Sequence, residues 1–168
     1  MPQDCPILVN GWKIYAHPLF LEQLKTLIEQ VESLQQKHPD KYKSKKPTKI
    51  LAAIVKLAFE EIPTDPTQDK YYQGKTLGSK YKHWLRAKFF QQYRLFFRYH
   101  LASKIIVYAW VNDDKTKRAY GSKTDAYTVF TKMLDKGNPP NSWKELLEQA
   151  KIQTKRLKKS IDNLSDFS

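Results

Sequence analysis

The sequence predicts an α+β fold in which helices flank an antiparallel sheet of three to four strands. Two stretches in the first third place apolar residues at helical spacing. Three consecutive runs in the middle switch to period two, and further helical patterns follow them. At 168 residues the chain is sized for one domain, residues 1–168, able to bury roughly 70% of its unfolded surface.

Ile7 to Tyr15 mixes β-formers with an Asn10-Gly11 turn signal and is expected to give a short strand. Pro18 suits a first helical position, and Phe20, Leu21, Leu24, Leu27, Ile28, Val31 and Leu34 follow on one face of a helix of about 18 residues. Lys37 to Lys49 carries six lysines and one aspartate, with Pro39 and Pro47, and reads as a solvated basic linker. A second helix gathers Ile50, Leu51, Ile54, Val55, Ala58 and Ile62 before Pro63 and Pro66 close it. Thr64 to Lys82 lacks periodicity and reads as a loop of about twenty residues, a length that compact domains keep for a functional reason.

The runs His83–Phe90, Tyr93–Leu101 and Lys104–Asn112 are rich in Phe, Tyr, Val and Ile, and their short connections predict an antiparallel meander. A helix over 124–136 carries Ala126, Val129, Phe130, Met133 and Leu134 on one side and stops at Gly137. Ser142 and Glu145 have the spacing of a capping box for a last helix. Its continuation over 144–168 is lysine-rich, less clearly amphipathic, and expected to fray.

Thirty Lys and Arg stand against seventeen Asp and Glu, a net charge of +13. Such an excess makes a protein repel itself and points to a polyanionic partner. A single cysteine, Cys5, excludes an internal disulfide and a Cys-rich zinc site, and reads as an incidental free thiol. No apolar run approaches the ~18 residues of a membrane span. The opening residues do not read as a signal peptide, so a cytoplasmic location without membrane contact is expected.

The charges become informative once placed on strands, where side chains alternate faces. Trp84, Arg86, Lys88 and Phe90 share one face of the first run; Arg94, Phe96, Arg98 and His100 share one of the second. If helices cover the Leu and Phe face, then Arg86, Lys88, Arg94 and Arg98 converge on an open one. From His83 to Lys123 there are nine Lys and Arg against two Asp, a local balance of +7. Plain solubility is the bland reading of that face. A site for an anion is favoured, because four cations on adjacent strands without a carboxylate repel one another.

Several motifs fail. Gly74-Lys75-Thr76 resembles the end of a phosphate-binding loop, but its required earlier glycine falls at Asp69. The four histidines lack metal-ligand spacing. His17 reads as a packing residue before the first helix, while His83 flanks the basic face as a candidate proton carrier. Phe96 and Trp110 are candidates for stacking a base. Asp113 and Asp114 leave the last strand, with Lys115, Lys117, Arg118 and Tyr120 close behind; an ordinary charged turn and an acid–base site are both readings of this segment. Composition leaves three classes: a nuclease, a non-catalytic basic RNA- or DNA-binding module, and a module that meets an acidic protein.

The residues also carry a resemblance. Val9-Asn-Gly-Trp-Lys-Ile-Tyr-Ala-His-Pro18, Tyr93-Arg-Leu-Phe-Phe-Arg-Tyr99, Trp110-Val-Asn-Asp113, Arg118-Ala-Tyr-Gly121, Lys123-Thr-Asp-Ala-Tyr-Thr-Val-Phe130 and Gly137-Asn-Pro-Pro140 before Trp143 resemble the YhaV family in order and spacing. The resemblance implies a RelE-like fold and a toxin of a type II toxin–antitoxin pair. It further implies an endoribonuclease that cleaves mRNA, on or off the ribosome, and a PrlF-type antitoxin with an AbrB-like domain as partner. No metal or other cofactor is implied. Basic residues would surround the scissile phosphate while the neighbouring ribose 2′-hydroxyl attacks it, leaving a 2′,3′-cyclic phosphate.

Carried over by position, the resemblance implies Arg86, Lys88, Arg94, Arg118 and Tyr120 as catalytic residues. Arg98, Lys117, Lys123 and Trp110 are the expected RNA contacts, and Asp113, Asp114 and His83 are further acid or base candidates. Arginine suits the charge of a pentacovalent phosphorane because its fork is bidentate and keeps its proton.

Overall fold

A computed structural model describes residues 6–164; Cys5 lies outside the described residues. The N-terminal segment makes a hairpin rather than one strand. Asn10 and Gly11 both take positive φ, 51° and 83°, which is the backbone a two-residue turn needs, and they join β1 (Ile7–Val9) to β2 (Trp12–Ala16). His17 then caps helix α1 (Pro18–Lys37) by accepting from the Leu19 amide at 3.2 Å. The lysine-rich connection is more ordered than expected. It forms a short turn that buries Tyr42 and leads into α2 (Lys46–Lys56), which runs through a π-turn at Leu57–Glu61 into α3 (Ile62–Thr64).

The expected meander is present as β3 (Leu85–Phe89), β4 (Tyr93–His100) and β5 (Ile105–Val111). The sheet has five strands in the order β1-β2-β5-β4-β3. It is mixed, because β5 returns alongside β2 in parallel, with Ile14 opposite Ile106, while the other pairs are antiparallel. The helices between β2 and β3 belong to the crossover that a parallel pair requires.

Both faces of the sheet are covered, which corrects the expectation of an open cationic face. Leu85, Ala87, Leu95, Phe97, Ile106 and Tyr108 pack with α1, α2 and Leu157 on one side. Phe96, Ile105, Val107, Ala109 and Trp110 pack on the other against α4 (Ala126–Asp135) and α5 (Trp143–Lys151). The physical reason is visible in the same strands: the cationic face also carries Trp84, Phe96 and Trp110, apolar surface that must be removed from water. A bulge between the Phe96 and Phe97 pairings shifts register, so Trp110, which strict alternation would place with Ile106 and Tyr108 in the first core, joins the second, and Val111 joins the first.

The long segment before β3 is folded down rather than loose. Leu77 and Tyr81 are buried in the second core, and the Tyr81 hydroxyl donates to Asp135 Oδ1 at 2.5 Å. Buried Gln73 ties the turn together, its Oε1 accepting from Thr76 Oγ1 at 2.6 Å and from the Leu77 amide at 3.1 Å. The tail is likewise more regular than expected. Thr154–Leu164 forms α6, which buries Leu157 and bridges to α1 through Arg156 and Glu22 at 3.1 Å. No helix among the described residues is long and apolar enough to cross a membrane.

Candidate functional site

The β3–β4 register sets the site. Lys88 lies opposite Arg94, and Arg86 opposite Phe96, so three cations share one corner of the second face. Lys88 is exposed, whereas Arg86 and Arg94 are 9% and 7% exposed. Burying a guanidinium requires partners for its N–H groups. Arg86 donates from Nε to Tyr127 Oη at 2.9 Å and from Nη1 to the Lys70 carbonyl at 2.7 Å. Arg94 donates from Nε to the same Tyr127 oxygen at 3.1 Å, and from Nη1 to the carbonyls of Gln91 and Tyr93 at 2.7 and 2.9 Å.

A third arginine arrives from the segment after β5. Buried Asn112 holds that segment to the sheet: its Oδ1 accepts the Arg94 amide at 2.5 Å, and its Nδ2 donates to the carbonyls of Gln92 and Thr116 at 2.9 and 2.8 Å. The Arg118 amide then donates to the Gln92 carbonyl at 2.9 Å. Its guanidinium lies over the Tyr127 ring at 4.7 Å and donates from Nη1 to Asp125 Oδ1 at 2.6 Å. Tyr127 is thus shared by three arginines. Asp125 is the one carboxylate among the described residues bonded to any of them.

Tyr127 and Arg118 open onto a cleft of about 460 Å³, whose other wall is Lys75 and Thr76 of the segment before β3, with Tyr120 at its rim. Of Arg86, Lys88, Arg94 and Arg118, only Arg118 lines this cleft, and a larger groove of about 550 Å³ between α1 and α2 is lined by none of them. Such a corner can bind an oxyanion: the guanidiniums are pinned by neutral oxygens and a single carboxylate, so net positive charge remains.

Comparison with known proteins bears on what that anion is. The profile of a family described as a toxin with endonuclease activity, of a toxin–antitoxin system, matches residues 14–151. The chain belongs to the YhaV toxin family. Among relatives, it is 48% identical over 148 residues to Ribonuclease toxin YhaV of Escherichia coli strain K12, covering 87% of this chain and 96% of the relative. Toxin YhaV of Escherichia coli O157:H7 and of strain CFT073 align equally well, at 48% identity over the same span. No solved structure matches significantly.

In this YhaV-family chain, four of the five expected catalytic residues, Arg86, Lys88, Arg94 and Arg118, come together. Tyr120 is beside them, 94% exposed, its ring 4.9 Å from the Arg118 guanidinium. Lys117 and Lys123 lie on the same segment, and Lys117 reaches Asp114 at 3.7 Å. The two aspartates are occupied. Asp113 caps the turn Asp114–Thr116 through the Lys115 amide and Thr116 Oγ1, both at 2.9 Å. Asp114 accepts from Lys46 Nζ at 2.6 Å and from the Tyr93 hydroxyl, and these contacts hold its carboxyl below the usual range, which weakens it as a base.

Three expected residues sit apart from this corner. Trp110 is 9% exposed and stacks on Phe96 and Phe130 at 5.9 and 5.6 Å, so its indole is core and offers no face to a base. Arg98 lies between Trp84 and Trp143, 5.5 Å from each ring, and donates to the Asn141 carbonyl at 2.6 Å. Burial lowers its pKa to about 10. His83 pairs with Asn141 Oδ1 at 2.8 Å; desolvation and Arg98 lower its pKa. It stands in the turn before β3, outside the strand that carries Arg86 and Lys88.

Sequence reasoning missed Asp125, Tyr127 and Asn112. Asp125 and Tyr127 stand in the string Lys123–Phe130, within the helix expected over 124–136, where the spacing assigns neither of them a role. Asp125 caps α4, accepting from the Tyr127 amide at 3.0 Å. A cap spacing does not reveal that the same carboxylate also grips an arginine.

Proposed function

We propose that this protein is a metal-independent endoribonuclease toxin that cleaves mRNA in the cytoplasm and so arrests translation. The observation that carries the reading is the convergence of Arg86, Arg94 and Arg118 on Tyr127, with Lys88 opposite Arg94 on the ladder and with Arg118 and Tyr127 lining an open cleft. The ribose 2′-hydroxyl loses its proton and its oxygen bonds to phosphorus; the bond from phosphorus to the 5′-oxygen breaks, and that oxygen takes up a proton. The products are a 2′,3′-cyclic phosphate and a 5′-hydroxyl.

Arg94 and Arg118 stabilise the phosphorane, while Arg86 and Lys88 neutralise and position the phosphate. One well-aimed donor contributes about 3 kcal/mol, or a factor of ~10² in rate. Tyr120 carries the proton in this scheme, since Asp113 and Asp114 already serve the turn and the Lys46 ion pair. Lys75, Lys117 and Lys123 meet flanking phosphates. A PrlF-type antitoxin, with an AbrB-like domain, is the proposed neutralising partner.

The test is incubation of the purified protein with end-labelled mRNA in EDTA, with and without ribosomes, resolving product ends. Fragments with 2′,3′-cyclic phosphates, lost in Arg94→Ala, are expected. Intact RNA in both arms with retained binding would replace this reading by a non-catalytic RNA-binding module.

A further inference from the structure

We infer that Asp125 and Tyr127 are positioning residues that hold the three arginines with one edge of each guanidinium turned to the substrate; the inference rests on the nuclease reading above. Like charges on flexible side chains splay apart unless something restrains them. Here each restraint is identifiable. Arg86 and Arg94 engage Nε and Nη1, and Arg118 engages Nη1. The three Nη2 groups have no hydrogen-bond partner among the described residues, yet the only buried side-chain atoms there without a partner are Thr48 Oγ1 and Tyr71 Oη. The Nη2 edges therefore reach solvent, where a phosphate oxygen can accept from them.

Asp125 does more than capping requires. It is 2% exposed; Oδ1 accepts from Arg118 Nη1 at 2.6 Å and from the Ala119 amide at 2.7 Å, while Oδ2 takes the Tyr127 amide at 3.0 Å. Ser, Thr or Asn caps a helix as well, so the negative charge answers to Arg118. Tyr127 likewise does more than packing requires. Its ring meets Phe96 edge-on at 5.6 Å, which a phenylalanine would reproduce. The hydroxyl oxygen is what receives both Nε groups. One rigid helix start thereby aims residues from β3, β4 and the segment after β5.

The experiment measures kcat and KM on a short RNA for Asp125→Asn and Tyr127→Phe, at a temperature well below each variant's melting point. A fall of roughly ten- to hundred-fold in kcat, with KM within about twofold, is expected from misaimed groups. In an Arg118→Ala background, Asp125→Asn should cost nothing further, because the group it aims is gone. In an Arg94→Ala, Arg86→Ala background, Tyr127→Phe should likewise be silent. Asp125→Ser, which keeps a capping acceptor, serves if Asp125→Asn folds poorly, with the same expectation.

Wild-type kcat in Asp125→Asn and Tyr127→Phe, or losses that simply add to those of the arginine variants, would overturn the inference. If Arg94→Ala and Arg118→Ala lose cleavage while these variants keep it, only the positioning role fails. If those arginine variants cleave normally, or the wild-type protein cleaves no RNA, the nuclease reading fails and this inference with it.

Discussion

Lys88 and Arg94 face each other across the β3–β4 ladder, two cations in directly opposed positions of an antiparallel pair. Like charges so placed destabilise a sheet by a few tenths to about 1 kcal/mol. Asp125, the one carboxylate among the described residues bonded to the arginines of the corner, is bound to Arg118 rather than to either of them. Lys88→Gln should therefore raise the melting temperature slightly while lowering RNA cleavage by roughly tenfold or more. Thermal melts and initial rates on the same preparations check both signs; a variant that is less stable and fully active contradicts the assignment.

Arg94→Ala should lower cleavage by ~10² or more without loss of the fold. Arg94→Lys should not restore it. A lysine offers one ammonium point, whereas Arg94 serves the Tyr127 oxygen and two carbonyls while keeping an outward edge. Circular dichroism together with single-turnover rates distinguishes a lost catalytic group from a lost fold.

Lys75 stands on the wall of the cleft opposite Arg118. As a contact to a flanking phosphate, Lys75→Ala should weaken RNA binding and flatten its salt dependence by about 0.7 in the log–log slope. Fluorescence anisotropy across a salt series gives that slope. An unchanged slope would remove Lys75 from the interface.

Trp110→Ala should cost about 3–5 kcal/mol of stability, as for other large aromatic truncations in a core. Trp110→Phe should retain most of the stability and the RNA affinity. Equilibrium denaturation and binding titrations separate this outcome from a base-stacking role, in which Trp110→Phe would lose affinity at unchanged stability.

His17 links folding to pH. It is 1% exposed, its Nδ1 accepts from Leu19, and its Nε2 donates to Gln149 Oε1 at 2.6 Å. Burial lowers its pKa from the ordinary 6.5, against a smaller opposing effect of the Gln149 bond. The unfolded chain therefore binds a proton more readily than the folded one. The contribution is fully present above pH 6.5 and declines as pH falls from there through the folded pKa. Melts between pH 5 and pH 7.5 should show a smaller acid loss for His17→Asn, which keeps a capping side chain. Parallel curves for the two proteins would exclude His17 as the cause.

The elements legible in the sequence were those with a repeat to read. Phe20 to Leu34 marks α1 because its apolar residues recur every three or four positions, and Tyr93 to Tyr99 marks β4 because its faces alternate. Arg86, Lys88 and Arg94 were placed on a common face by the same parity. The hairpin at Asn10-Gly11 reads as one strand in the sequence because each arm is too short to show a period. Ordered Gln73 and Leu77 were invisible because their segment has no repeat, only specific bonds formed after folding.

The α+β class, the cationic balance, the arginine-bearing strands and the likeness to the YhaV family can all be read along the chain. Local spacing and composition are enough for those. Tertiary structure decided that the cationic face is covered by α4 and α5, because Trp84, Phe96 and Trp110 on that face had to be buried. It also decided that Arg118, twenty-four residues beyond Arg94, joins Arg86 and Arg94 at Tyr127. Which oxygen a guanidinium meets depends on how a helix start docks against a sheet edge, and no periodicity along the chain encodes that meeting.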